Sequence, residues 1–111
     1  FCKGYTVQEK MNLWSSKFGF INRTSIKDEL LSIDLTQQVK SLDIPVYFFS
    51  GAYDMTVNHD LSQSFLAGLT APVKGFYTFE HSAHSPTVEE PERMLDILRT
   101  DVLTGGSSLA D

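Results

Sequence analysis

The sequence predicts an α/β protein in which a parallel strand–helix–strand–helix unit follows a mainly helical first segment. Two short apolar runs, at 46–49 and 75–79, are rich in aromatic residues. Uninterrupted runs of this kind are expected of strands that are covered on both faces. A helical pattern separates the two runs and another follows the second. Because a crossover through a helix joins parallel strands, the two predicted strands run in the same direction.

The first forty residues show helical patterns and few strand signals. Thr6 is followed three residues later by Glu9, the spacing of a capping box at a helix start. The apolar residues after Thr6 have helical spacing, and Phe18-Gly19-Phe20 is predicted to end this helix. Three helical stretches are predicted in this segment, near 6–17, 26–32 and 34–42.

The character of the chain changes at Pro45. The first strand is broken by Gly51, and a helix is predicted over 58–69. After the second strand, Pro91 among acidic residues indicates the start of a last helix. A Gly- and Ser-rich end is predicted to be flexible. The resulting division has three parts: a helical segment over 1–40, an α/β core over 41–103 and a flexible tail over 104–111.

Composition excludes several classes of partner. The net charge is −5, and the nine Lys and Arg residues are scattered, so neither a nucleic acid nor an anionic membrane surface is an expected partner. Cys2 is the single cysteine, which rules out an internal disulfide and is compatible with a reduced, cytoplasmic location. No apolar stretch approaches the roughly 20 residues of a membrane span. We expect no cofactor.

The residues that point to chemistry are Asp54 and His84. Each follows the carboxyl end of a predicted strand, in the segments Gly51-Ala52-Tyr53-Asp54 and His81-Ser82-Ala83-His84. Carboxyl ends of parallel strands lie at one edge of a sheet, where open α/β sheets bind their ligands. The spacing therefore predicts that the Asp54 carboxylate meets an imidazole, as in the acid–base part of a nucleophilic hydrolase.

Several alternatives remain open at this point. His81 has nearly the same surroundings as His84, and spacing does not choose between them. A metal site formed by Asp54, His59, His81 and His84 is a weaker hypothesis, since no His-Glu-x-x-His signature occurs. No Gly-x-Ser-x-Gly turn supplies a nucleophile. The serines that could be considered for that role are Ser50, Ser82 and Ser85, but none lies in a glycine-flanked strand-to-helix turn, and each is interpreted as a loop serine.

Residues of the second half resemble the C-terminal end of an α/β-hydrolase, and most closely the prolyl-aminopeptidase-like subgroup. The resemblance is good over about residues 40–103, and the first forty residues are similar to the end of that subgroup's helical lid. It implies that Asp54 is the acid and that His84, not His81, is the base. The segments that carry it are Ile44 to Asp54, Phe79 to Pro86 and Glu89 to Glu92.

The resemblance implies a serine hydrolase acting on a small-molecule or peptide substrate through an ester, amide or N-terminal peptide bond. Since the nucleophile is missing, we expect the chain to be a C-terminal fragment that is inactive alone. Its sheet would then have an exposed edge, which favours self-association. The alternative is a non-catalytic module, either a truncated form or a pseudo-enzyme, that binds a partner.

Overall fold

The computed structural model describes residues 6–23 and 25–111, and side chains from 20 to 23 are not part of that description. Cys2, the single cysteine of the sequence, lies outside the described residues. The chain divides into two compact units, residues 1–35 and 36–111. Its helices are α1 Val7–Arg23, α2 Ile26–Ser32, α3 Leu35–Gln38, α4 His59–Gly68, α5 Pro86–Glu89 and α6 Pro91–Ile97, followed by a π-helical turn Leu98–Val102; its strands are β1 Val46–Gly51 and β2 Lys74–Phe79.

Helix α1 begins with the predicted capping box. The Thr6 backbone N–H donates to Glu9 Oε2 at 2.7 Å, and the Glu9 N–H donates to Thr6 Oγ1 at 3.2 Å. The Thr6 N–H also holds the pKa of Glu9 below its ordinary value. The prediction that α1 ends at Phe18-Gly19-Phe20 is wrong, because the helix continues to Arg23. A single glycine costs a helix only about 1 kcal/mol and does not terminate it.

The two strands pair in parallel, in register from Val46 opposite Lys74 to Gly51 opposite Phe79. Helix α4 forms the crossover between them and is capped by Asn58, whose side-chain oxygen accepts the Leu61 N–H at 2.9 Å. The predicted α/β class and the parallel pairing are therefore confirmed. Because the strands are parallel, Asp54 and His84 both lie beyond the same end of the sheet.

Strand β2 supplies the core on both of its faces. One cluster contains Tyr77 and Phe79 together with Met94 and Ile97 of α6. The other contains Phe76 together with Leu66 and Leu69 of the α4 region. Successive strand residues point to opposite faces, so a single strand binds a helix layer on each side.

The chain end differs from the predicted flexible tail. The buried carboxylate of Asp101 accepts the backbone N–H groups of Ser108 and Leu109 at 2.8 and 2.7 Å, and the Tyr77 hydroxyl at 2.9 Å. Burial alone would raise the pKa of Asp101, but the hydrogen bonds from Ser108 and Leu109 outweigh it and hold that pKa low. Composition did not predict this arrangement, because it depends on a carboxylate several residues earlier in the chain.

The last residue covers the outer edge of β2. The Asp111 N–H donates to the Phe76 carbonyl at 2.9 Å, and Asp111 Oδ2 accepts the Thr78 N–H at 2.6 Å. The Asp111 N–H and carboxylate therefore take the places of the N–H donor and C=O acceptor that a neighbouring strand would provide. No helix within the described ranges is both long and apolar enough to span a membrane.

Candidate active site

The site begins at Gly51, the last residue of β1. A Cβ at this position would lie 1.9 Å from the Ala83 carbonyl oxygen and 2.5 Å from that of Ser82. The loop that carries His84 therefore passes directly over the end of β1, and glycine leaves the space that it needs. From the sequence, Gly51 is predicted only to break the strand. Its role in the approach of the two loops depends on the tertiary structure.

Two backbone hydrogen bonds join the loop after β1 to the end of β2. The Ala52 N–H donates to the Phe79 carbonyl at 2.9 Å, and the Tyr53 N–H donates to the Ser82 carbonyl at 3.0 Å. Because these bonds connect backbone to backbone, they fix the separation of the two loops independently of side-chain rotamers. Asp54 comes directly after Tyr53, whose N–H is bonded to the loop that carries His84.

The Asp54 carboxylate is held by three donors. Its Oδ1 accepts the N–H groups of Thr56 and Val57 at 2.8 and 3.0 Å, while Oδ2 lies 2.8 Å from His84 Nδ1. The Asp54 side chain is 8% exposed and the His84 side chain 59% exposed. The hydrogen bond from His84, assisted by the Val57 N–H, lowers the pKa of Asp54 from 3.8 to about 2.

This contact determines which ring nitrogen of His84 is free. An ionised carboxylate can only accept hydrogen bonds, so Nδ1 must carry a hydrogen. When the ring is neutral, Nε2 then has the unshared electron pair and is able to accept a proton from a nucleophile. The structure thus places Asp54 and His84 in the contact expected from the sequence. Their catalytic roles stay a prediction.

A cavity of about 330 Å³ lies beside this pair. Consecutive residues of β1, and therefore both faces of the strand, contribute to its wall. Most of its wall is apolar, with a few polar side chains among the lining residues, as in many small-molecule sites. The lining residues are Tyr47, Phe48, Phe49, Ser50, Asp54, Val57, Ser62, His84 and Pro86.

The other candidate residues do not join this pair. His59 Nε2 lies 3.0 Å from Thr78 Oγ1, and its ring meets the Phe76 ring edge-on at 5.1 Å, so His59 packs against β2. His81 contributes its backbone N–H to Glu90. Over residues 6–23 and 25–111, no group of three or more His, Cys, Asp or Glu residues is arranged to hold a metal ion.

Ser82 is unsuited to the role of nucleophile considered from the sequence. It is fully buried, and its hydroxyl donates to Glu90 Oε2 at 2.5 Å. That hydroxyl also holds the pKa of Glu90 below its ordinary value. Ser50 is likewise buried within β1. The contacts of Glu89 and Glu90 to this loop were missed from the sequence, where both residues were assigned to a helix start.

Comparison with known proteins identifies two relatives. A Bacillus subtilis (strain 168) protein named probable aminopeptidase YbaC is 34% identical over 77 residues, which are 69% of this chain and 24% of the relative. The proline iminopeptidase of Heyndrickxia coagulans is 31% identical over 74 residues, which are 67% of this chain and 25% of the relative. The chain therefore spans about a quarter of the length of the curated relatives it matches.

These relatives confirm the resemblance to prolyl-aminopeptidase-like hydrolases over about two thirds of the chain. Both names describe peptidases, so the chain is related to hydrolases of that kind. No protein-family model matches the chain. No solved structure matches it significantly.

Proposed function

We propose that this chain is the C-terminal, acid–base part of a serine hydrolase of the α/β-hydrolase fold. Its lid segment is residues 1–40 and its core segment 41–103. The observation that carries the proposal is the 2.8 Å contact between Asp54 Oδ2 and His84 Nδ1 beyond one end of a parallel sheet. The relatives' names favour a peptide or related amide substrate with a free amino terminus, although an ester has the same chemistry.

In the proposed reaction, His84 Nε2 takes the proton of a serine hydroxyl as the serine oxygen bonds to the substrate carbonyl carbon. The resulting imidazolium donates this proton to the leaving nitrogen or oxygen as its bond to carbon breaks. Asp54 keeps the ring oriented and stabilises the positive charge. Since no Gly-x-Ser-x-Gly turn occurs in this sequence, the serine belongs to residues outside these 111, and the chain alone is inactive.

The test compares three variants in the complete polypeptide that contains this chain, assayed with prolyl and other aminoacyl arylamides. Asp54→Asn and His84→Ala are each expected to lower kcat/KM by about 10³- to 10⁴-fold. His81→Ala is the matched control, because it removes a histidine from the same loop and leaves the rate unchanged. A normal rate in both Asp54→Asn and His84→Ala would disprove the assignment. Turnover by the isolated 111 residues would disprove the need for an outside nucleophile.

We also propose that two copies of the isolated chain pair through the edge of β1 that faces away from β2, with which no strand of the described residues pairs. The Val46 and Ala52 N–H groups donate to the carbonyls of Val73 and Phe79, at the two ends of β2. Because parallel pairing alternates, the N–H groups of residues 47 and 49 point away from β2. The outer edge of β2 is already covered by Asp111. Unpaired N–H and C=O groups along a strand edge favour pairing with another strand.

Light scattering across a range of concentrations tests this pairing. Ile44, 63% exposed just before β1, is changed to Lys, because a charge beside a strand edge disfavours association. Val88→Lys is the matched control, since Val88 is 78% exposed in α5 and the added charge is the same. We expect Ile44→Lys to shift the chain toward monomer and Val88→Lys to leave it unchanged. A wild-type chain that stays monomeric throughout would contradict the proposal.

A further inference from the structure

We propose that Glu89 is a positioning residue for His84, and that it acts through the backbone on either side of that histidine. This inference rests on the proposed function, in which His84 is the general base. Glu89 does not contact the imidazole. Its carboxylate instead accepts hydrogen bonds from the two residues that flank His84, so its effect on the ring is indirect.

The contacts of Glu89 are specific. Its Oε2 accepts the Ala83 N–H at 2.8 Å and the Ser85 N–H at 3.3 Å. Both N–H groups therefore point at one oxygen atom, so the Glu89 carboxylate bridges the Ser82–Ala83 and His84–Ser85 peptide units on either side of the histidine. Because the His84–Ser85 unit helps to set the direction of the His84 Cα–Cβ bond, holding it in place aims the imidazole. Hydrogen bonds to an ionised acceptor are about twice as strong as those between neutral groups.

The single helical turn α5 brings Glu89 back to this loop. The Val88 and Glu89 N–H groups donate to the Ser85 carbonyl at 2.9 and 3.0 Å. Pro86 occupies the first position of the turn, where the absence of an N–H is tolerated. The chain thus folds back within four residues, and the Glu89 side chain returns to the backbone that immediately precedes its own turn.

Contacts of other residues hold the start of the loop, before His84. Glu90 Oε2 accepts the His81 N–H at 3.0 Å and the Ser82 hydroxyl at 2.5 Å. The Tyr53 N–H donates to the Ser82 carbonyl. These bonds fix the loop as far as Ser82, two residues before His84. The hydrogen bonds to Glu89 hold the next part of the loop, at Ala83 and Ser85.

The experiment measures the Asp54–His84 contact directly in the chain. Three variants are compared with wild type: Glu89→Ala removes the acceptor, Glu89→Gln keeps an amide oxygen that still accepts, and Glu92→Ala removes an exposed carboxylate from α6 as the control. Proton NMR detects the hydrogen on His84 Nδ1, and carbon-13 NMR follows the titration of the Asp54 carboxyl. Urea unfolding reports whether each variant is folded.

We expect Glu89→Ala to lose the Nδ1 proton signal and to raise the pKa of Asp54 from about 2 toward 3.8. Glu89→Gln should retain most of the signal, and Glu92→Ala all of it. In the complete polypeptide, Glu89→Ala should lower kcat about 10- to 100-fold without changing KM, since a displacement of about 1 Å has an effect of that size. A folded Glu89→Ala variant with a wild-type Nδ1 signal and rate would overturn the inference.

The two proposals fail in different ways. If Asp54→Asn leaves the rate unchanged while Glu89→Ala still removes the Nδ1 signal, the catalytic assignment is wrong and the positioning role of Glu89 holds. If Asp54→Asn abolishes turnover while Glu89→Ala changes neither NMR nor rate, the function stands and the role of Glu89 is wrong. Loss of signal in Glu89→Gln as severe as in Glu89→Ala would also count against positioning by hydrogen bonds.

Discussion

The two compact units of the chain use the same kinds of apolar residue in opposite ways. In residues 36–111, Tyr77 and Phe79 are completely buried. In residues 1–35, Trp14 is 60% exposed and Phe18 56% exposed, and every described side chain is exposed or half-buried. Both units contain amphipathic helices. The difference is that the second unit has a sheet, which gives its helices an apolar surface on which to bury their apolar stripes.

Helix α1 is stabilised by contacts between residues close together in the sequence. It has a capping box at its start, a Gln8 to Asn12 side-chain hydrogen bond of 3.0 Å, and a stack of Trp14 on Phe18 with ring centroids 5.5 Å apart. All of these join residues three or four positions apart. The second unit is held by contacts between distant residues, such as Tyr77 with Asp101. Substitutions should therefore have very different effects in the two units.

The largest expected effect is that of Phe79→Ala. Phe79 is fully buried, contacts Phe49 edge-on at 6.2 Å, and has the Arg93 guanidinium 5.5 Å above its ring. Truncating a buried phenylalanine usually costs about 3–5 kcal/mol, because apolar burial is lost and a cavity remains. We expect the free energy of unfolding in urea to fall by about that amount. A loss below about 1 kcal/mol would show that the second unit has no more of a core than the first.

Gly51→Ala is expected to cost about 1–3 kcal/mol, the range found when extra atoms are forced into a packed site. The added Cβ would overlap the Ala83 carbonyl oxygen, so the His84 loop has to move. The Nδ1 proton of His84 should disappear from the NMR spectrum at the same time. Gly68→Ala is the matched control, because no atom lies within 4 Å of a Cβ at that position. Equal effects of the two substitutions would contradict the close approach at Gly51.

The Asp54–His84 contact should also make stability depend on pH. The pKa of Asp54 is about 2 in the folded chain and 3.8 is its ordinary value, so the unfolded chain binds more protons between these pH values. The stability contributed by Asp54 is therefore complete above about pH 4 and is lost as the pH falls through about 2. Urea unfolding from pH 5 to pH 2 should show a steeper decline in wild type than in Asp54→Asn. His84→Ala, which removes the main donor, should resemble Asp54→Asn; a decline as steep as in wild type would contradict this origin.

The smallest expected effect is that of Phe18→Ala in the first unit. Phe18 is more than half exposed and contacts Trp14 within its own helix. We expect a change in the free energy of unfolding of no more than about 0.5 kcal/mol, as is usual for surface substitutions. The change of residue type is the same as in Phe79→Ala, which makes the two a matched pair. Similar losses for both would mean that Phe18 is buried in solution, and the contrast between the units would fail.

Much of the architecture was determined by local sequence. The start of α1 follows from the Thr6 and Glu9 capping pair, and the extent of α2 was predicted correctly as 26–32. The two strands and the intervening helix follow from apolar runs separated by a helical pattern. Because that order requires parallel strands, it also predicted that Asp54 meets an imidazole, while the choice of His84 over His81 came from the family resemblance. The helices and strands depend on residues a few positions apart, so they can be recognised without the fold.

Other features were decided only by the tertiary structure. The chain end looks flexible by composition, yet Asp101 and the edge of β2 hold it. Glu89 looks like part of a helix start, yet its carboxylate binds the backbone around His84. Gly51 looks like a strand breaker, yet it makes room for a loop that is distant in sequence. In each case the partner is set by how the chain folds back on itself, and neither residue type nor periodicity contains that information.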